Sequence, residues 1–178
     1  KKNLYSFFNG NIKGKTIEMH KLVKDAILSK TNEDIVLVNR QWRVNSKNNK
    51  NINHCIIPMI DLSVDSEESL LNSIGFGIRI SEKNHPSFKN RILTFNQSWI
   101  QFTDNMTFHQ KVITLNSISN SGNANFYKAL KMILNVCIDN NIPPIQLEKY
   151  VVAIFSDMQI KKYDINTNIM MENIQILY

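Results

Sequence analysis

A chain of 178 residues with 43% hydrophobic content can build one domain with its own core, which excludes a disordered chain. No apolar run approaches the roughly 20 residues that cross a bilayer, so no membrane association is expected, and no apolar segment follows Lys1 and Lys2 as a signal peptide requires. The net charge of +6 is unevenly placed: residues 1–50 carry eleven Lys or Arg against four Asp or Glu, while the rest of the chain is nearly balanced.

That asymmetry permits contact with nucleic acid or an acidic partner, with Lys13, Lys15, Lys21 and Lys24 as the candidate residues. Dispersed lysines are more often a solvated face, and these are not interleaved with aromatics as a base-stacking platform requires. Cys55 and Cys137 lie in apolar segments and read as core residues of a reduced, intracellular, cytoplasmic protein, with a disulfide between them as the minor alternative. Asparagine makes up about one residue in seven, the bias that an AT-rich genome produces.

In chain order, residues 1–15 form an entry segment whose Phe7 and Phe8 dock on the core. Ile17, His20, Val23, Ile27 and Leu28 recur at helical spacing, with Thr16 as cap. A second helix is expected over Asn32 to Val44, with Ile35, Val38 and Trp42 on one face and Thr31 or Asn32 as cap. The polar stretch 45–51 reads as a linker. Residues 1–53 are thus an N-terminal helical segment, and 54–178 an α/β domain packed with it as one unit.

The α/β part opens with a strand at 55–60 that ends on Asp61, Ser63 and Asp65. A helix over about 67–81 follows, with Glu67 and Glu68 at its positive end. Gly75 and Gly77 inside it imply close packing on the sheet. Residues 91–95 and 99–102 suit a hairpin, giving an antiparallel edge to a mostly parallel sheet. Helices are expected at 107–117 and from 124 or 125 to before Pro143. The run 150–155 reads as a strand buried on both faces, and it ends on Ser156 and Asp157.

Ligands bind at the carboxyl ends of parallel strands, where loops diverge and the next helix begins with unpaired N–H groups. Adjacent strands would bring Asp61 and Asp157 together. Carboxylates with a hydroxyl are hard oxygen ligands suited to Mg²⁺, Mn²⁺ or Ca²⁺. Strand-end aspartates are also common as caps.

Met19-His20-Lys21-Leu22-Val23, Asn39-Arg40-Gln41-Trp42, Ile60-Asp61-Leu62-Ser63, Leu93-Thr94-Phe95, Asn125-Phe126-Tyr127-Lys128-Ala129-Leu130 and Phe155-Ser156-Asp157-Met158-Gln159 occur in an order that resembles a von Willebrand factor A-type domain. The nearer resemblance is to an uncharacterised intracellular branch found in large DNA viruses and some eukaryotes. It implies a Rossmann-like three-layer sandwich with a metal-ion-dependent adhesion site at the top of the sheet. Asp61, Ser63 and Asp157 match that site's pattern, Asp65 replaces its second Ser, and Ala124 falls where its Thr would be. The expected site is therefore degenerate, holding a divalent cation weakly or none, with Ser66 as a substitute hydroxyl. Only a helix at 168–177 is expected after Asp157, so the domain reads as truncated at its C-terminus.

The leading expectation is a non-enzymatic module that binds a protein partner. The alternative is RNA or DNA association through the basic half. An aspartyl-phosphatase reading of Asp61-x-Ser63-x-Asp65 is the third and weakest, because Ser63 stands where a second Asp is needed and no matching lysine motif is evident. His54, His85 and His109 have no ligand spacing, and Ser63 has no recognisable His partner.

Overall fold

Strand β1, Cys55–Ile60, is the axis of the molecule, and its six residues alternate between two cores. Cys55, Ile57 and Met59 enter one apolar cluster and Ile60 the other. A strand with apolar side chains on both faces needs cover on both sides. The computed structural model describes residues 17–46, 55–95, 98–118 and 126–156. The Phe7 and Phe8 segment, the Thr16 cap and the helix expected at 168–177 lie outside the described residues.

Two further strands flank β1 in parallel: β2, Arg91–Thr94, and β4, Tyr150–Phe155. Strand β3, Ser98–Gln101, pairs with β2 in antiparallel register, Leu93 opposite Trp99, as the hairpin spacing predicts. The order is β3-β2-β1-β4. Pro58 is tolerated inside this sheet because of where its missing N–H falls. Ile60 turns its carbonyl to the β2 side, accepting from Phe95 N–H at 3.1 Å, so Pro58, two residues earlier, faces the same way. Pairing with β2 begins only at Met59, and no ladder bond is lost.

Four helices cover one face: α1, Met19–Leu28; α2, Asn32–Ser46; α3, Glu67–Glu82; and α4, Phe108–Asn116. Their buried Leu22, Val38, Ile74, Ile78 and Val112 share a cluster with Ile60 and Ile92 of the sheet. The other face is covered by α5, Phe126–Asp139, through Ala129, Ile133, Val136 and Cys137. The short α6, Pro144–Leu147, leads into β4. Helices on both faces of a mostly parallel sheet give an α/β architecture of Rossmann-like type.

Capping follows local chemistry. Thr31 Oγ1 accepts from Asp34 N–H at 3.2 Å while Asp34 Oδ2 accepts from Thr31 N–H at 3.3 Å. Thr107 and Gln110 form the same reciprocal box at α4. Helix α1 begins after Glu18, which makes no side-chain cap bond.

Several expectations need correction. Asn45 and Ser46 belong to α2 instead of a linker, and Asn45 Nδ2 donates to Ile17 O at 3.4 Å. Leu28, placed on an apolar face by its spacing, is 60% exposed. Strand β4 is not buried on both faces: it is the sheet edge among the described residues, and Val151 and Ile154 are about two-fifths exposed. Of the two glycines, only Gly77 packs on the sheet, where a Cβ would overlap Ile60. Gly75 instead lets α1 approach, where a Cβ would overlap Met19.

Candidate functional site at the carboxyl end of the sheet

The loop after β1 is shaped by alternation: Leu62 and Val64 are buried, which turns Ser63 and Asp65 outward. Asp61 N–H donates to Phe155 O at 2.8 Å, prolonging the β1–β4 ladder by one bond. This fixes the Asp61 side chain beside the end of β4. Ser66 then caps α3, its Oγ accepting from Ser69 N–H at 3.3 Å, so the hydroxyl expected to substitute in a cation site is engaged as a helix cap.

Asp61 is the hub. Its Oδ1 accepts from Ser63 N–H at 2.9 Å and from the Ser63 hydroxyl at 2.5 Å. Its Oδ2 accepts from the Ser156 hydroxyl at 3.2 Å. Hydrogen bonds to a carboxylate are stronger than neutral ones, and together they hold the carboxylate in one orientation. Ser156 was not singled out from the sequence, where Asp157 beside it drew the assignment. The signal was its position directly after the β4 run.

Asp65 lies exposed two residues beyond Ser63. Asp157 and Ala124 lie outside the described residues. Asp61 and Ser63 are chemically suited to a hard cation. Oδ1 of Asp61 already accepts two hydrogen bonds and Oδ2 one, so Oδ2 is the oxygen with acceptor capacity left for a cation. Among the described residues no group of three or more His, Cys, Asp or Glu converges as a metal cluster.

Lys21 Nζ lies 2.6 Å from Glu18, and Lys24 Nζ lies 3.0 Å from Glu67. The Lys21 pair lowers the pKa of Glu18 and raises that of Lys21. Lys13 and Lys15 lie outside the described residues. His85 Nδ1 accepts from Ser87 N–H at 3.3 Å, and the His109 backbone N–H donates to Asn39 at 3.0 Å. Ser63 has a carboxylate as its partner, the wrong arrangement for a nucleophile activated by imidazole.

A separate cavity of about 530 Å³ lies between α2, the end of α3 and the turn before α4, lined in part by Trp42, Arg43, Glu82, Asp104 and Phe108. Its polar groups are mostly engaged within the fold. Glu82 accepts from Trp42 Nε1 at 3.0 Å and from Lys111 Nζ at 2.8 Å. Asp104 accepts from Asn90 Nδ2 at 2.8 Å. Trp42 stacks on Phe108 with ring centres 4.0 Å apart, and the buried Arg79 guanidinium lies 4.4 Å from the Trp42 ring. Burial pushes Arg79 down to about 10, opposed by the charge of Glu82.

Fold and site together define an α/β domain with a serine-bridged aspartate at the carboxyl end of two adjacent parallel strands. Residues 52–176 match the model of a domain of unknown function (DUF7788), and the chain belongs to that family. No curated protein and no solved structure matches it. Among the described residues no helix is long and apolar enough to cross a membrane.

Proposed function

We propose that this chain is a non-enzymatic protein-binding module that engages its partner through the Asp61 loop at the top of the sheet, as a degenerate adhesion-type site. The observation that carries the reading is the convergence of Asp61, Ser63 and Ser156 from the ends of β1 and β4. A carboxylate bridged by two hydroxyls, on a loop anchored by Leu62 and Val64, presents fixed polar groups to solvent. The resemblance of the Asp61-x-Ser63 and Ser156-Asp157 segments to von Willebrand factor A-type domains supports the same reading, with Asp65 and Asp157 as further candidate ligands of Mg²⁺ or another divalent cation. When bound, such an ion would bridge the loop to a carboxylate of the partner.

Nucleic-acid association through the basic half is the weaker reading, since Lys21 and Lys24 are both in ion pairs. Calorimetric titration of the chelator-treated protein with Mg²⁺, Mn²⁺ and Ca²⁺, repeated on Asp61→Ala, tests the cation. Binding lost in the variant establishes it. Partner capture tests the surface: Asp61→Ala that binds a captured protein as well as the parent does would refute the assignment.

A further inference from the structure

Helix α2 is apolar on two opposite sides. One side sends Val38 and Trp42 into the core, 2% and 4% exposed. The other carries Glu33, Val36, Leu37, Arg40 and Val44 at spacings of three, four and seven residues, which place them on one outward stripe. Val36 is 66% exposed, Leu37 55% and Val44 57%. A surface helix normally covers such a stripe with charge, and a second apolar side is the mark of a second packing partner.

The charges beside the stripe say what kind of partner fits. Glu33 and Asp34 occupy the first turn of α2 and Arg43 its last, with Arg40 between the apolar residues of the stripe. Neither Glu33 nor Arg40 takes part in an ion pair among the described residues. Glu33 and Arg40 lie two turns apart on one face, with Val36 and Leu37 midway between them. A two-fold axis through that midpoint, with a second α2 running antiparallel, sets each Glu33 beside Arg40 of the other copy. The same axis brings Val36 and Leu37 of both copies into contact. A parallel pairing would set like charges together. The surface is thus complementary to itself, as a two-fold interface requires.

We infer that α2 is the self-association surface of this protein, forming an antiparallel helix pair between two copies. The inference is independent of the Asp61 site, which lies at the end of the sheet. One helix pair is small, below the roughly 1,200 Å² of standard interfaces, so the dimer is weak and concentration-dependent.

Sedimentation velocity on the 178-residue chain over a concentration series is the test. The sedimentation coefficient is expected to rise from monomer towards dimer for the parent and to stay monomeric at every concentration for Leu37→Glu. Leu37 is exposed, and circular dichroism confirms that the variant keeps its fold. Glu33→Arg and Arg40→Glu are each expected to lose the dimer alone, because each sets like charges together. An equimolar mixture of the two is expected to recover it, since every contact then pairs opposite charges. A parent that is monomeric throughout overturns the inference. So does a dimer that survives Leu37→Glu, or a mixture that associates no better than its components.

Discussion

Trp42 donates its indole N–H to Glu82 at 3.0 Å, tying α2 to the end of α3 through a carboxylate that also holds the ammonium of Lys111. Lys111 is 4% exposed and Arg79 6%, so Glu82 is the counter-charge to two buried cations. Breaking a buried ion pair from one side leaves an uncompensated charge in the interior. Glu82→Gln is expected to destabilise the domain by about 3 kcal/mol, at the low end of that range because Glu82 is itself partly exposed. Urea unfolding measures it. Adding Lys111→Met should recover part of the loss, and a double variant no better than the single one would count against this account.

The two glycines of α3 should respond differently to the same substitution. Gly77→Ala drives a methyl into Ile60, which is fully buried between α3 and the sheet and has nowhere to move. The expected cost is about 1–3 kcal/mol, typical of overpacking. Gly75→Ala meets Met19, a flexible and partly exposed side chain that can turn aside. There the gain in helix propensity, about 1 kcal/mol, offsets the crowding and the net change is near zero. Thermal melts of both variants decide it: equal losses would mean that Met19 is held as firmly as Ile60.

Asp61→Ala removes the acceptor for Ser63 and Ser156, but the loop is close to solvent and water can replace it. A stability loss of about 1 kcal/mol is expected, with an unchanged far-ultraviolet spectrum. A loss several times larger would assign Asp61 a mainly structural role.

Burial pushes the Cys55 thiol up to about 12 from its ordinary value of 9.0 and pushes Cys137 in the same direction. The folded state keeps these protons to higher pH than the unfolded chain does. Their contribution to stability is therefore complete below about pH 9 and is lost as pH rises towards 12. Arg79, pushed down to about 10, acts in the opposite sense above that pH. Between about pH 9 and 10, below the main titration of Arg79, the thiols should lower stability by about 1 kcal/mol, opposed in part by Lys83, whose pKa burial lowers. At neutral pH, Ellman's reagent should label neither cysteine in the native protein and both in urea.

Much of the architecture was legible because apolar runs and turn chemistry report directly on strands and caps. The 55–60 run, the paired runs around residues 96–98 and the Thr31 cap all appear where local sequence places them. What stayed hidden depends on three-dimensional neighbours. A run such as Tyr150–Phe155 shows that a strand is apolar but not whether another strand lies beyond it, so Val151 and Ile154 were expected to be buried. Arg79 and Glu82 carry no local signal of their roles, because periodicity assigns the polar residues of an amphipathic helix to water. Only the approach of Trp42 and Lys111 reveals that Arg79 is buried and that Glu82 is engaged within the fold. At the site, the Asp61–Ser63 pair is local and readable, whereas the Ser156 contact depends on β1 and β4 becoming neighbours.

That adjacency also sets when the site can exist during folding. Asp61 and Ser156 are separated by 95 positions, and the α3–β2–β3 hairpin region, α4 and α5 all lie between them in the chain. Helices and the hairpin close short loops quickly, while contacts of high sequence separation must first overcome the loss of chain entropy. The hydroxyl of Ser156 reaches Asp61 only once β4 has docked against β1, so the proposed site is completed by a long-range step of the fold, and a chain stalled before that step would carry the Asp61 loop without its Ser156 partner.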